Sequence, residues 1–176
     1  STELEAQKLS DEDFINRLYK TFMDRDPETE GMNYWLNEMK SGKDKKFVFD
    51  GFVNSVEWAD ICLTYGIRSG GLAKPSFEKD ASDDVIAFAE RLYTTCLGRD
   101  SEEEGLKFWS QELANLRQTG TVAASGFFNS PEFISLNTSN EEYITRLYRT
   151  FMGREPEKAG FDYWMSELKS GKDRQS

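Results

Sequence analysis

Asp24, Asp26, Glu28 and Glu30 alternate through one short segment and precede Gly31. In that pattern, side-chain oxygens could converge on a hard cation such as calcium. The chain tests this idea on itself, because the segment recurs. The corresponding places hold Gly98, Asp100, Glu102 and Glu104, and again Gly153, Glu155, Glu157 and Ala159. The first and last donors drop out, and no bidentate Glu falls at the EF-hand spacing. Helix chemistry accounts for the same residues: glycine stops one helix, Asp, Ser or Glu caps the next, and acids fill its first turn. Calcium stabilisation stays a minor alternative with those four carboxylates as weak candidates. No metal or cofactor is expected.

Three adjacent ring pairs, Tyr34-Trp35, Phe108-Trp109 and Tyr163-Trp164, offer a different chemistry. Neighbours on a helix point about 100° apart, so both rings cannot sit at the centre of one narrow stripe. Core packing is the favoured reading for all six, on a wide apolar face with Met32, Leu36 and Met39 beside the first pair. The alternative leaves Tyr34, Phe108 and Tyr163 near the surface, where they would stack on a sugar or a protein partner.

Arginines and glutamates recur with the rings: Arg17, Arg25 and Glu38; Arg91, Arg99 and Glu112; Arg146, Arg154 and Glu167. A guanidinium at a helix end binds free carbonyls or a carboxylate. The spacing predicts that Arg17 or Arg25 pairs with Glu38 across a helical hairpin, and likewise in the other copies. Carboxylates acting as acid and base need a singular pair with one perturbed member. No copy has a pair that the others lack, so catalysis is not expected. The absence of histidine removes the usual triads and most zinc sites. Cys62 and Cys96 are far apart, form no CxxC motif and fall inside apolar helical patterns, so they read as free buried thiols.

These residues mark a repeat. Arg17-Leu18-Tyr19 returns as Arg91-Leu92-Tyr93 and Arg146-Leu147-Tyr148, and each copy continues through a glycine, Gly31, Gly105 or Gly160, to its ring pair. Copies one and two run on to Gly51-Phe52-Val53-Asn54-Ser55 and Gly126-Phe127-Phe128-Asn129-Ser130, while copy three stops first. The extra length of the first copy holds Gly70-Gly71 and Pro75, which read as a linker. The expected organisation is residues 1–67 as one repeat unit, 68–82 as linker, 83–138 as a second unit and 139–176 as half of a third.

Each unit reads as about four short helices, an all-α tandem repeat of two full units plus a half. Phe14, Leu18 and Phe22, with Ile15 and Tyr19, give an i, i+4 stripe. Ser10, Ser82 and Ser139 precede acidic first turns, and Ser139 to Glu142 has the form of a capping box. The second helix is expected to start at Asp26-Pro27, Ser101 or Glu155-Pro156, and to end at Ser41-Gly42, Thr119-Gly120 or Ser170-Gly171. No alternating run is long enough for a strand.

The net charge of −10, from 22 basic and 32 acidic residues, argues against nucleic acid or an anionic membrane as main partner. No apolar run approaches the ~18 residues of a membrane span. The first residue, Ser1, with no signal peptide after it, reads as a processed product or an excised piece.

Leu97-Gly98-Arg99-Asp100, Gly105, Phe108-Trp109 and Gly126-Phe127-Phe128-Asn129-Ser130-Pro131-Glu132-Phe133 together resemble the bacterial module called domain of unknown function 4214. The chain is similar, more weakly, to the helical linker domains of cyanobacterial phycobilisomes. Departures are Ser101 for the motif's proline, and Val56 and Trp58 for Pro and Phe. The resemblance implies an all-helical module of secreted or surface-layer-type bacterial proteins and brings no catalytic or ligand residues. The expected function is a non-catalytic binding or spacer module making protein or cell-surface contact, with carbohydrate binding as the alternative.

Overall fold

The computed structural model describes residues 9–174. Residues 1–8 of the first unit and Gln175-Ser176 of the third lie outside the described residues. The chain is all-α, with no strand among the described residues. It divides into two compact units, Ser1–Glu78 and Lys79–Ser176.

The first unit is built on α1 (Asp11–Met23), α2 (Thr29–Lys40), α3 (Lys45–Val53) and α4 (Val56–Thr64). Ser10 accepts from the Asp13 amide at 3.1 Å and starts α1 ahead of three acids. Asp44 does the same for α3 through Phe47, and Ser55 for α4 through Trp58. The buried stripe of α1, Phe14, Ile15, Leu18, Tyr19 and Met23, packs with Val48 and Phe52 of α3. Met32, Trp35, Leu36 and Met39 of α2 close the cluster from the side. Gly42, at φ 102°, turns the chain out of α2.

The second unit holds copies two and three. Its helices are α5 (Asp83–Arg91), α6 (Glu103–Ala114), α7 (Gly120–Phe128), α8 (Pro131–Ser135), α9 (Asn140–Leu147) and α10 (Lys158–Lys169). Helix α5 runs on into a π-helical turn, Leu92–Leu97, and α9 into another, Tyr148–Met152, whereas α1 remains α-helical to its end. The two wide turns face each other. Arg91 Nε donates to the Thr150 carbonyl at 3.1 Å, and Arg146 Nη1 donates to the Cys96 carbonyl at 2.5 Å. Arg91 and Arg146 hold the same repeat position, so copies two and three grip each other reciprocally, as the halves of a twofold pair do.

Three local expectations are corrected. The second helix of each copy starts later than Pro27, Ser101 or Pro156, at Thr29, Glu103 and Lys158. Its N-cap is a glutamate, Glu28, Glu102 or Glu157, in extended backbone and making no side-chain cap. Thr119-Gly120 does not end α6. That helix stops at Ala114, Leu116 turns the chain at φ 56°, and Thr119 caps α7 by accepting from Val122. The capping box at Ser139 is half made: Ser139 accepts from the Glu142 amide, but the Glu142 carboxylate turns to Arg146.

Candidate functional site

Each copy is organised around the tyrosine of its Arg-Leu-Tyr step. Tyr19, Tyr93 and Tyr148 are buried. A guanidinium covers each ring: Arg25 at 5.0 Å from the centroid, Arg99 at 5.2 Å and Arg154 at 5.3 Å. The repeated glycine admits the phenol end. A Cβ on Gly31, Gly105 or Gly160 would meet the hydroxyl oxygen at 2.3, 2.5 and 2.3 Å. The recurrence of Tyr, Arg and Gly is thus one packing device used three times.

Those arginines do not reach Glu38, Glu112 or Glu167, and the expected Arg25–Glu38 pairing with its counterparts is not made. Arg25 Nη1 bonds Glu28 at 2.5 Å, and its Nε and Nη2 hold Glu57 at 2.9 and 3.0 Å. Arg99 repeats this with Glu102 at 2.7 Å and Glu132 at 2.5 and 3.2 Å. Arg154 bonds Glu157. The bidentate seats lie 32 and 33 residues away, on α4 and α8, so they pin the fourth helix of a copy to its first hairpin. Hydrogen bonding from the arginines holds the Glu28, Glu132 and Glu157 carboxyls below their ordinary range. Glu112 pairs with Arg117 and Glu167 with Lys172. Sequence reasoning missed Glu57 and Glu132, although both sit in a Gly-Phe-x-Asn-Ser-x-Glu pattern shared by copies one and two.

The carboxylates of the acidic segment do not gather at one point among the described residues. Asp26 pairs with Lys20 and Glu28 with Arg25, and Asp24 is the left-handed residue that ends α1. Among the described residues no three Asp, Glu or Cys side chains gather as a metal cluster. Cys62 and Cys96 are free and buried, and burial pushes the Cys96 thiol up to about 12.

The ring pairs depart from the core expectation. Trp35 and Trp109 are half-buried and lie 5.5 and 5.7 Å from Phe52 and Phe127. Their neighbours stay outside: Tyr34 is 54% exposed, Phe108 54% and Tyr163 56%. Each outer ring sits edge-on to its tryptophan, at 4.8, 5.4 and 5.1 Å between centroids. The tryptophan takes the stripe centre and the adjacent ring is carried past its edge. Trp164 also fails to be buried, at 49%.

The reason lies in the second half of the repeat. In copy two, α7 and α8 cover the first hairpin: Phe127 meets Tyr93 edge-on at 4.9 Å, and Phe133 joins the same cluster. The next residue, Phe128, faces the other way, toward Tyr143 and Phe151 of copy three. Among the described residues no helix equivalent to α7 and α8 lies over the Trp164 side of the copy-three hairpin. There Met152 is 58% exposed, where the equivalent Leu97 is 6%.

The chain belongs to the family described as Domain of unknown function (DUF4214), which matches it over residues 1–62, 70–137 and 124–176. The second and third matches overlap over 124–137, the segment that packs Phe127 into copy two and Phe128 against copy three. No curated protein and no solved structure matches the chain. No helix among the described residues is long and apolar enough to cross a membrane.

Proposed function

We propose that the chain is a non-catalytic binding or spacer module of a larger secreted or surface-exposed bacterial protein, making protein or cell-surface contact. One observation carries this reading: each copy holds an aromatic ring outside its core at the same repeat position, Tyr34, Phe108 and Tyr163. A rigid ring braced by a tryptophan is an economical contact group, because little side-chain freedom is lost on binding. Weak contacts repeated along one chain combine through effective concentration. The outward placement of the rings also favours the second reading, stacking on carbohydrate, although Phe108 lacks a hydroxyl to share with a sugar.

Adhesion of the fluorescently labelled chain to a panel of bacterial envelopes tests both. Protein contact requires binding that falls on protease treatment of the envelopes and is lost in a chain carrying Tyr34→Ala, Phe108→Ala and Tyr163→Ala. Binding that survives protease and is competed by millimolar sugar selects the carbohydrate reading. Equal binding by parent and triple variant overturns the role of the rings.

A further inference from the structure

Copies one and two share the corner between their third and fourth helices, Gly51-Phe52-Val53-Asn54-Ser55-Val56-Glu57-Trp58 and Gly126-Phe127-Phe128-Asn129-Ser130-Pro131-Glu132-Phe133. In copy two this corner holds the neighbouring repeat. Phe128 stacks on Phe151 at 5.6 Å and meets Tyr143 at 5.8 Å, and Phe133 meets Tyr143 at 6.0 Å.

In copy one the same corner is closed by residues 68–76, which follow α4. Trp58 stands at the place of Phe133, and its Nε1 donates to the Ser69 carbonyl at 3.3 Å. Asn54 stands at the place of Asn129, and its Oδ1 accepts from the Leu72 amide at 2.8 Å. Gly71 lies on the carbonyl of Val53, the counterpart of Phe128, where a Cβ would come within 1.9 Å of the oxygen. Asp60 fixes the far end, accepting from the Ser76 amide at 2.6 Å and from its hydroxyl at 2.7 Å.

The two closures differ in kind. Copy three is held to copy two by rings packed together, whereas residues 68–76 are held by polar locks. Leu72, their one large apolar side chain besides the proline ring, is exposed. A segment with so little apolar burial opens at a lower free energy than the helices beneath it.

We propose that residues 68–76 are a releasable strap that seals the neighbour-accepting corner of copy one, and that a second copy of this chain docks there when the strap opens. The occupant follows from copy two, where the equivalent residues accept the first hairpin of the same repeat. Each chain carries such hairpins. Strap and hairpin compete, because both need Val53, Asn54 and Trp58 or their counterparts. This inference does not depend on the role of Tyr34, Phe108 and Tyr163.

Amide hydrogen exchange of the full chain reads the strap, and sedimentation velocity reads the docking. In the parent, the Leu72 and Ser76 amides are expected to exchange at least about tenfold more slowly than in an unstructured peptide. Gly71→Ala and Asp60→Ala open the strap from two different locks, and either variant alone carries the test once circular dichroism verifies its helicity. In each, exchange at Leu72 and Ser76 should rise toward the peptide rate. The chain should then self-associate more strongly than the parent, and an excess of a synthetic peptide of residues 66–78 should suppress that association. Peptide-like exchange in the parent overturns the strap, and parent-like exchange in both variants overturns its locks. An opened variant that sediments as the parent does overturns the sealed corner, and so does association that the peptide leaves unchanged.

Discussion

Gly105 lies directly against the phenol oxygen of Tyr93, so close that a Cβ on the glycine would come within 2.5 Å of it. The ring cannot simply swing away. Arg99 lies over one face and Phe127 meets it edge-on. Two effects of opposite sign compete at this position. Alanine in a helix is ordinarily worth ~0.5–1 kcal/mol over glycine, whereas overpacking a filled core costs ~1–3 kcal/mol. The fixed ring makes the second the larger. Gly105→Ala is expected to destabilise the second unit in denaturant unfolding, and Tyr93→Phe, which removes the offending oxygen, should recover much of the loss. A Gly105→Ala chain as stable as the parent would show that the ring yields.

The arginine-held carboxylates set how stability responds to acid. Glu28, Glu132 and Glu157 titrate below their ordinary range because Arg25, Arg99 and Arg154 hydrogen-bond the charged form. For a folded pKa below the unfolded one, the stabilisation is complete above the unfolded value, about 4.3 for Glu, and is lost as pH falls through the folded value. Thermal midpoints should therefore fall on acidification below about pH 4.5. Glu132→Gln should lower the midpoint at neutral pH, and its difference from the parent should shrink toward pH 3. A difference that stays constant with pH would remove Glu132 from the acid response.

Much of the architecture is legible because its signals are local. Ser10, Ser55, Ser82, Ser130 and Ser139 all cap helices as their following residues imply, and the i, i+4 stripe of α1 is buried. The arginine partners are harder to read, since Glu57 and Glu132 are brought to Arg25 and Arg99 only by tertiary packing. The exposure of Tyr34, Phe108 and Tyr163 has the same origin. Periodicity says that two adjacent rings diverge, and only the covering helices decide which is left outside. The π-helical turns leave no local signature, because Arg91 and Arg146 settle them by gripping each other's last turns.

Asp24 ends α1 in left-handed backbone at φ 50°, where copies two and three place Gly98 and Gly153. Aspartate tolerates that region better than most residues but still at a cost that glycine avoids. Asp24→Gly is expected to stabilise the first unit by ~0.5–1 kcal/mol, with the larger unfolded-state freedom of glycine subtracting from the gain. Two compact units can unfold in separate steps, so only the first unit's transition should rise in calorimetry. A fall in that transition would mean that the Asp24 carboxylate does more for the turn than its backbone strain costs.

Thr150 sits at the centre of the reciprocal contact between copies two and three, fully buried within the π-helical turn. Its carbonyl accepts from Arg91, but its hydroxyl has no partner. The exposed Thr94 and the half-buried Thr145 bond the carbonyl four residues back, at 3.0 and 2.8 Å. A buried hydroxyl left unsatisfied costs ~1–3 kcal/mol relative to a satisfied one. Valine has nearly the same shape and no such group. Thr150→Val should therefore stabilise the second unit by about 1 kcal/mol, read as a rise in its unfolding midpoint. Thr150→Ala should do the reverse, because it leaves a void where two copies interlock. If valine destabilised the unit instead, the hydroxyl would have a partner in solution, and the interface between the copies would be wetter than its packing shows.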